Sequence, residues 1–137
     1  MNKTIILSLS VIMVLGTVLT SACENSARTV KSVVPQEAFA IIQENQDNPD
    51  FVVLDVRTAK EFAEGHLENA ILVDFYTPTF RDDINQLDKN KKYVIYCRGG
   101  SRSGQALSVM YELGFVEVYN VLDGIVRWQS EGLPMVK

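Results

Sequence analysis

The chain has 137 residues, room for one domain with a buried core and not for two of ordinary size. Its 13 Lys and Arg stand against 17 Asp and Glu, a net charge of −4 that repels phosphate backbones and argues against nucleic acid as a partner. One histidine and two cysteines, at no zinc-like spacing, leave no metal site to expect, and no cofactor is called for.

Residues 4–22 carry no charge and are mostly aliphatic from Ile5 to Leu19, behind the basic start "MNK" and ahead of the small trio "TSA". That order describes an export signal over residues 1–22; as a membrane span the run is marginal, since a bilayer needs about 20 mostly apolar residues. "LTSAC" resembles the lipobox of bacterial lipoproteins, in which the cysteine is lipidated, although Leu19 lies four places before Cys23 where three is usual. The expectation is a periplasmic or cell-envelope protein lipid-anchored at Cys23, touching membrane only through that anchor. Simple cleavage near Ala22 and an uncleaved anchor are the alternatives. Residues 1–22 hold Lys3 and no acid, so their removal makes the remainder one unit more negative. "ENSARTVKS" reads as a tether, giving a linker over 23–32 and a domain over 33–137.

"VPQEAFAIIQEN" has Pro35 at a first helical position and an apolar stripe of Val34, Ala38, Ile41 and Ile42. "FVVLDV" is a continuous apolar run too short for a helix and reads as a buried strand ending near Asp55. "TAKE" has the form of a capping box, Thr58 with Glu61, for a short helix that Gly65 ends. "AILVD" reads as a strand, "PTFRDDINQLDKN" as a surface helix and "KKYVIY" as a buried strand. "SGQALSVMYELGF" has Ala106, Leu107, Met110 and Leu113 at helical spacing with Gly114 as its stop, so a helix is expected from about Ser103. "VEVYNV" is a further strand and "IVRWQSEG" a last short helix. Strands alternating with helices at this rhythm predict an α/β fold, a mostly parallel sheet covered on both faces.

In such sheets ligands sit beyond the carboxyl ends of strands, and Cys97 follows "YVIY" directly. The stretch "YCRGGSRSG" surrounds that thiol with Arg98, Arg102 and glycines at 99, 100 and 104. A helix starting near Ser103 aims its positive end at the loop, and the two guanidinium groups add charges that are permanent at physiological pH. The glycines let backbone N–H groups turn inward as an anion nest. Together these features favour the thiolate, the nucleophilic form of cysteine, and hold an anionic substrate beside it.

The motifs resemble those of a single-domain rhodanese, a sulfurtransferase module. "CRGGSR" is similar to the six-residue active-site loop of that family, opening with the catalytic cysteine. "LDVRTAKEFAEGHLENAILV" resembles its first signature, Asp-x-Arg after a strand, then Glu-Phe and Gly-His. "LGFVEVYNVLDGIVRW" with "EGLP" resembles the carboxyl-terminal one. Asp123 stands where the first of two glycines is usual and Asn69 where glycine is common, both turn positions that Asp or Asn can occupy. The resemblance implies a three-layer α/β/α fold with a mostly parallel sheet of about five strands. It also implies transfer of a sulfane sulfur from a small anion such as thiosulfate to a thiol or cyanide, through a Cys97 persulfide. In that scheme the loop Arg98, Gly99, Gly100, Ser101, Arg102 and Ser103 binds the substrate, with both arginines on the donor's sulfonate. Asp55 and Arg57 support the loops as an ion pair.

Two other readings remain open at this level. One is a module that carries or senses sulfur without turnover. The other is a cysteine phosphatase or arsenate reductase, but phosphatase loops place arginine six positions after the cysteine, where this chain has Ser103. His66 after a helix-ending glycine is expected to bond nearby carbonyls, Trp128 and Phe62 to pack, and Tyr76 and Phe80 are candidates for the site mouth.

Overall fold

The computed structural model describes residues 27–137; the apolar segment 4–22 and Cys23 lie outside the described residues. Five strands alternate with five helices among those residues: β1 Thr29–Val33, α1 Pro35–Glu44, β2 Phe51–Asp55, α2 Ala59–Glu64 and β3 Ile71–Leu72, then α3 Phe80–Asn85, β4 Lys92–Tyr96, α4 Ser101–Glu112, β5 Glu117–Val121 and α5 Gly124–Ser130. The strands form one sheet in the order β1-β5-β4-β2-β3, and every pairing is parallel. The expected α/β architecture is therefore present, with the sheet wholly rather than mostly parallel.

Period-two alternation along β4 assigns the two faces. Tyr93, Ile95 and Cys97 join Phe80, Ile84, Ala106 and Met110 in the core beneath α3 and α4. Val94 and Tyr96 join Ala38, Ile125 and Trp128 in the core beneath α1 and α5. Cys97 thus continues the strand's own alternation, which turns its side chain toward α4.

Local signals act as the sequence suggests at α1, which has proline in its first turn, and at α2, where Thr58 and Glu61 close the full capping box. Asn69 and Asp123 both adopt φ 59°, the left-handed turn conformation in which their short polar side chains replace glycine.

Three boundaries differ. Residues 29–32, expected in the linker, belong to β1, which pairs along its whole length with β5 from Thr29 opposite Glu117 to Val33 opposite Val121. An edge strand needs one partner and little burial, so "TVKSV" keeps Lys31 and Ser32 exposed and buries only Val33. Even Arg28 is tied down: its Nε and one terminal nitrogen donate to the Phe115 and Tyr111 carbonyls at 3.1 and 2.6 Å, beyond the end of α4 and in its last turn. β3 is shorter than "AILVD" because Asp74 opens a turn, its Oδ1 accepting from the Tyr76 N–H at 2.9 Å. α4 begins two residues before Ser103, which places Arg102 and Ser103 in its first turn.

Candidate active site

β2 and β4 are neighbours with Asp55 opposite Tyr96, so the segments after both strands emerge side by side at the carboxyl edge of the sheet. From there the chain turns at Gly100, in a left-handed conformation with φ 95°, and enters α4. The first helical bond of α4 runs from the Gly104 N–H to the Gly100 carbonyl at 2.9 Å. The amides of Ser101, Arg102 and Ser103 therefore have no acceptor within the helix, and the positive end of its dipole faces the loop.

Cys97 lies inside this turn, 1% exposed. Its Sγ accepts from the Gly100 N–H at 3.1 Å, and the hydroxyl of the fully buried Ser103 lies 3.3 Å away. The same hydroxyl is 3.3 Å from the Gly100 carbonyl, so its single proton is shared between two acceptors. The outer side of the turn is held by α5: the Ile125 N–H donates to the Cys97 carbonyl at 2.9 Å and the Val126 N–H to the Arg98 carbonyl at 3.1 Å. Gly124 makes that approach possible, because a Cβ there would lie 2.4 Å from the Cys97 carbonyl oxygen.

The two loop arginines play different parts. Arg98 is exposed and forms no side-chain hydrogen bond or ion pair with the other described residues. Arg102, expected from the sequence as a second ligand for the donor's sulfonate, is paired with Glu61 through bonds of 2.8 and 2.7 Å. The pairing has a physical reason: α2 and α4 start next to each other, and a guanidinium fork fits a carboxylate in two-point contact. Arg102 holds the Glu61 carboxyl at about 2, assisted by the Thr58 N–H and hydroxyl against the opposing effect of burial. Glu61 in turn raises the Arg102 guanidinium further above its ordinary range. Arg102 also lies 5.3 Å from the centre of the exposed Tyr76 ring, which places Tyr76 at the rim. Phe80, the other candidate for the mouth, is in the core.

Asp55 and Arg57 form the expected ion pair, buried and closed by Nε and a terminal nitrogen at 3.0 and 2.7 Å. The Arg57 fork also donates to the Gly65 carbonyl at 2.7 Å and so pins the end of α2 to the end of β2. Burial opposes the Arg57 charge, but the hydrogen bonds and charge of Asp55 more than offset it and leave its pKa raised. His66 is structural: its Nδ1 lies 3.0 Å from the Phe62 carbonyl and its ring stacks on Phe62 with centroids 3.7 Å apart. Trp128 is buried and donates from Nε1 to the Pro134 carbonyl at 3.0 Å.

Sequence reasoning missed two residues here. Glu61 was accounted for by the capping box, and nothing local marks its second role. Gly124 sits in a visible Asp-Gly turn pair, but only the approach of α5 shows what its missing Cβ permits.

A cleft of about 280 Å³ lies against the loop between α2 and α5, with Arg98, Glu64, Ile125, Val126, Gln129 and Met135 among its walls. A larger cavity of about 530 Å³, walled by Phe39, Phe51, Leu67, Trp128 and Met135 among others, includes no residue of the Cys97 loop. The smaller one touches the loop through Arg98, and Cys97 itself is not among its walls. A cysteine gripped by a backbone N–H and a hydroxyl at a helix start is arranged for nucleophilic, covalent catalysis.

Residues 39–131 match the family model described as "Rhodanese-like domain". A protein of Allochromatium vinosum named "Sulfurtransferase" is 33% identical over 100 residues, 73% of this chain and 92% of that protein. A "tRNA uridine(34) hydroxylase" of Yersinia pestis is 40% identical over 99 residues, 65% of this chain and 27% of that protein, so the likeness covers only a part of it. The crystal structure of a rhodanese-related protein from Thermoplasma volcanium superposes with a TM-score of 0.64 at 31% identity, covering 77% of this chain and 97% of that one. By fold, by loop and by these likenesses, the chain belongs to the family of rhodanese-like domains.

Proposed function

We propose that the protein is a sulfurtransferase that moves a sulfane sulfur from a donor such as thiosulfate to a thiol or cyanide through a persulfide on Cys97. The observation that carries this reading is the grip on Sγ by the Gly100 N–H at 3.1 Å and the Ser103 hydroxyl at 3.3 Å. The Cys97 thiolate attacks the outer sulfur of thiosulfate; the S–S bond breaks, and its electron pair leaves with sulfite. Donors already aimed at Sγ, together with the free amides of the first turn of α4, stabilise the anionic persulfide that results. Cyanide then attacks the outer sulfur and leaves as thiocyanate, returning the bond pair to Cys97.

A phosphatase is disfavoured by the position six residues beyond Cys97. Ser103 occupies it with a hydroxyl turned to the sulfur, and the nearer Arg102 is engaged by Glu61. The export signal over residues 1–22 and lipid attachment at Cys23 are part of the proposal, and rest on the sequence.

The test is treatment of the purified full chain with thiosulfate, followed by intact mass. One sulfur added at Cys97 and removed by cyanide supports the reading. No such adduct, or turnover by a Cys97→Ser protein, overturns it. For the anchor, palmitate labelling that disappears in Cys23→Ala is expected.

A further inference from the structure

We propose that the cavity of about 530 Å³ between the end of α1, the start of β2 and the C-terminal segment binds a small organic ammonium, an apolar body that carries an amino group and no acid. No residue of the Cys97 loop lines this space, so its occupant needs nothing from the sulfur chemistry.

The walls are held in place before any ligand arrives. At the end of α1 the Asn45 side chain donates to the Ile41 carbonyl at 2.8 Å and accepts from the Asn48 side chain at 3.0 Å. Asn48 in turn accepts from the Asp50 N–H at 2.9 Å, which fixes the turn that leads into β2. The C-terminal segment is fastened by the Trp128 indole on the Pro134 carbonyl and by two backbone bonds of 2.9 Å exchanged between His66 and Val136. The apolar lining includes Phe39, Phe51 and Trp128, with the Phe39 and Trp128 rings edge to face at 5.8 Å. Phe39, Ile42 and Phe51 pack on the core beneath α1 and α5 but are only partly buried. A preformed apolar space of this volume lies within the range of small-molecule sites, about 300–1,000 Å³.

Charge decides what kind of molecule fits. Asp47, in the turn after α1, and Glu68, in the turn before β3, both line the cavity and are exposed. Neither forms an ion pair or a side-chain hydrogen bond with any described residue. No Lys, Arg or His is among the walls, and Lys91, which donates to the Pro49 carbonyl two residues beyond Asp47, stands outside them. An organic anion therefore meets two uncompensated carboxylates. A neutral apolar molecule gains only the aromatic lining. An ammonium on an apolar body gains the lining and the carboxylates together, and ring faces add their own attraction for a cation.

Trp128 is the one tryptophan of the chain and walls the cavity, so its emission reports occupancy. The full chain is titrated with benzylammonium, with benzyl alcohol as the neutral counterpart and phenylacetate as the anionic one. Benzylammonium is expected to give a saturable change with a dissociation constant on the order of 1 mM. At low salt it is expected to bind about fivefold tighter than the alcohol, the order of one partly exposed charge contact, and added salt should shrink that margin. Asp47→Asn combined with Glu68→Gln is expected to remove the margin and leave the affinity for the alcohol unchanged. Glu64→Gln, on the smaller cleft, should alter neither. No saturable response to benzylammonium, an alcohol or phenylacetate that binds as tightly, or a margin that survives the double substitution overturns the site. Emission that changes on concentrating the protein alone, and does so no longer in the double variant, makes a second copy of the chain the occupant and overturns it as well. Persulfide formation on Cys97 is expected to be equal in the wild-type and doubly substituted chains, so the site and the sulfurtransferase reading stand or fall separately.

Discussion

Glu61 and Arg102, one in the first turn of α2 and the other in the first turn of α4, are joined by two bonds of 2.7 and 2.8 Å across 41 residues of sequence. The same carboxylate accepts from the Thr58 N–H and hydroxyl, both at 3.0 Å. The cap of one helix and the placement of an arginine on another are thus one structure. The pair neutralises Arg102 in place and leaves Arg98 as the cation of the loop that is open to a ligand.

Glu61→Gln separates these roles, because glutamine at the third helical position still closes a capping box while its charge is gone. Arg102 then faces the loop uncompensated. At high dielectric one such charge is worth about 1 kcal/mol, so KM for thiosulfate is expected to fall by about fivefold at low salt. Steady-state kinetics at two ionic strengths check this; an unchanged KM at both would mean that Arg102 has no influence on the donor.

The same pair carries a pH dependence. The Glu61 carboxyl is held at about 2 in the folded chain, chiefly by Arg102, against about 4.3 for an unfolded glutamate. A depressed carboxyl stabilises fully above its unfolded value and loses that contribution as pH falls toward its folded one. Urea unfolding at pH 6, 4 and 3 should therefore show wild type more stable than Glu61→Gln at pH 6, with the gap narrowing on acidification. A gap that widens at pH 3 would contradict the sign.

Asp55→Ala leaves Arg57 buried without its counter-charge, and only the Gly65 carbonyl remains as a partner. Removing one member of a buried pair costs about 3–5 kcal/mol. A large drop in denaturant midpoint is expected even though Asp55 touches neither Sγ nor the cleft.

Gly124→Ala and Gly99→Ala give a matched contrast. At Gly124, with φ 58°, a Cβ meets the Cys97 and Arg98 carbonyl oxygens at 2.4 and 2.5 Å. Strain and overpacking there are expected to cost more than about 2 kcal/mol and to lower the rate of persulfide formation as the loop shifts. At Gly99 nothing lies within 4 Å of the added atom, and stability should stay within about 0.5 kcal/mol. Thermal melts and single-turnover mass measurements on both proteins decide the matter.

Much of this was legible in the chain because the signals are local. "YVIY" ahead of Cys97 specifies a buried strand, and the glycines after it specify a turn, so the place of the thiol at a strand end followed from short-range preferences. The capping box at Thr58 and the left-handed turns at Asn69 and Asp123 are local in the same sense. β1 escaped because its stability comes from β5, 88 positions further along at Thr29 and Glu117, and not from its own composition. Periodicity reports which face a residue presents to a core, and "TVKSV" at a sheet edge presents almost none.

The sequence by itself determined the alternating α/β plan, the place of the Cys97 thiol at a strand end and the run of small and cationic residues after it, since each depends on neighbours within one turn or one strand. Tertiary structure alone decided how those cations are used. Parallel pairing of β2 with β4 sets α2 beside α4, and proximity then lets Glu61 occupy Arg102 and leaves Arg98 open. Charge pairing depends on distance in space, which no spacing along the chain encodes until the sheet has fixed which strand ends are neighbours.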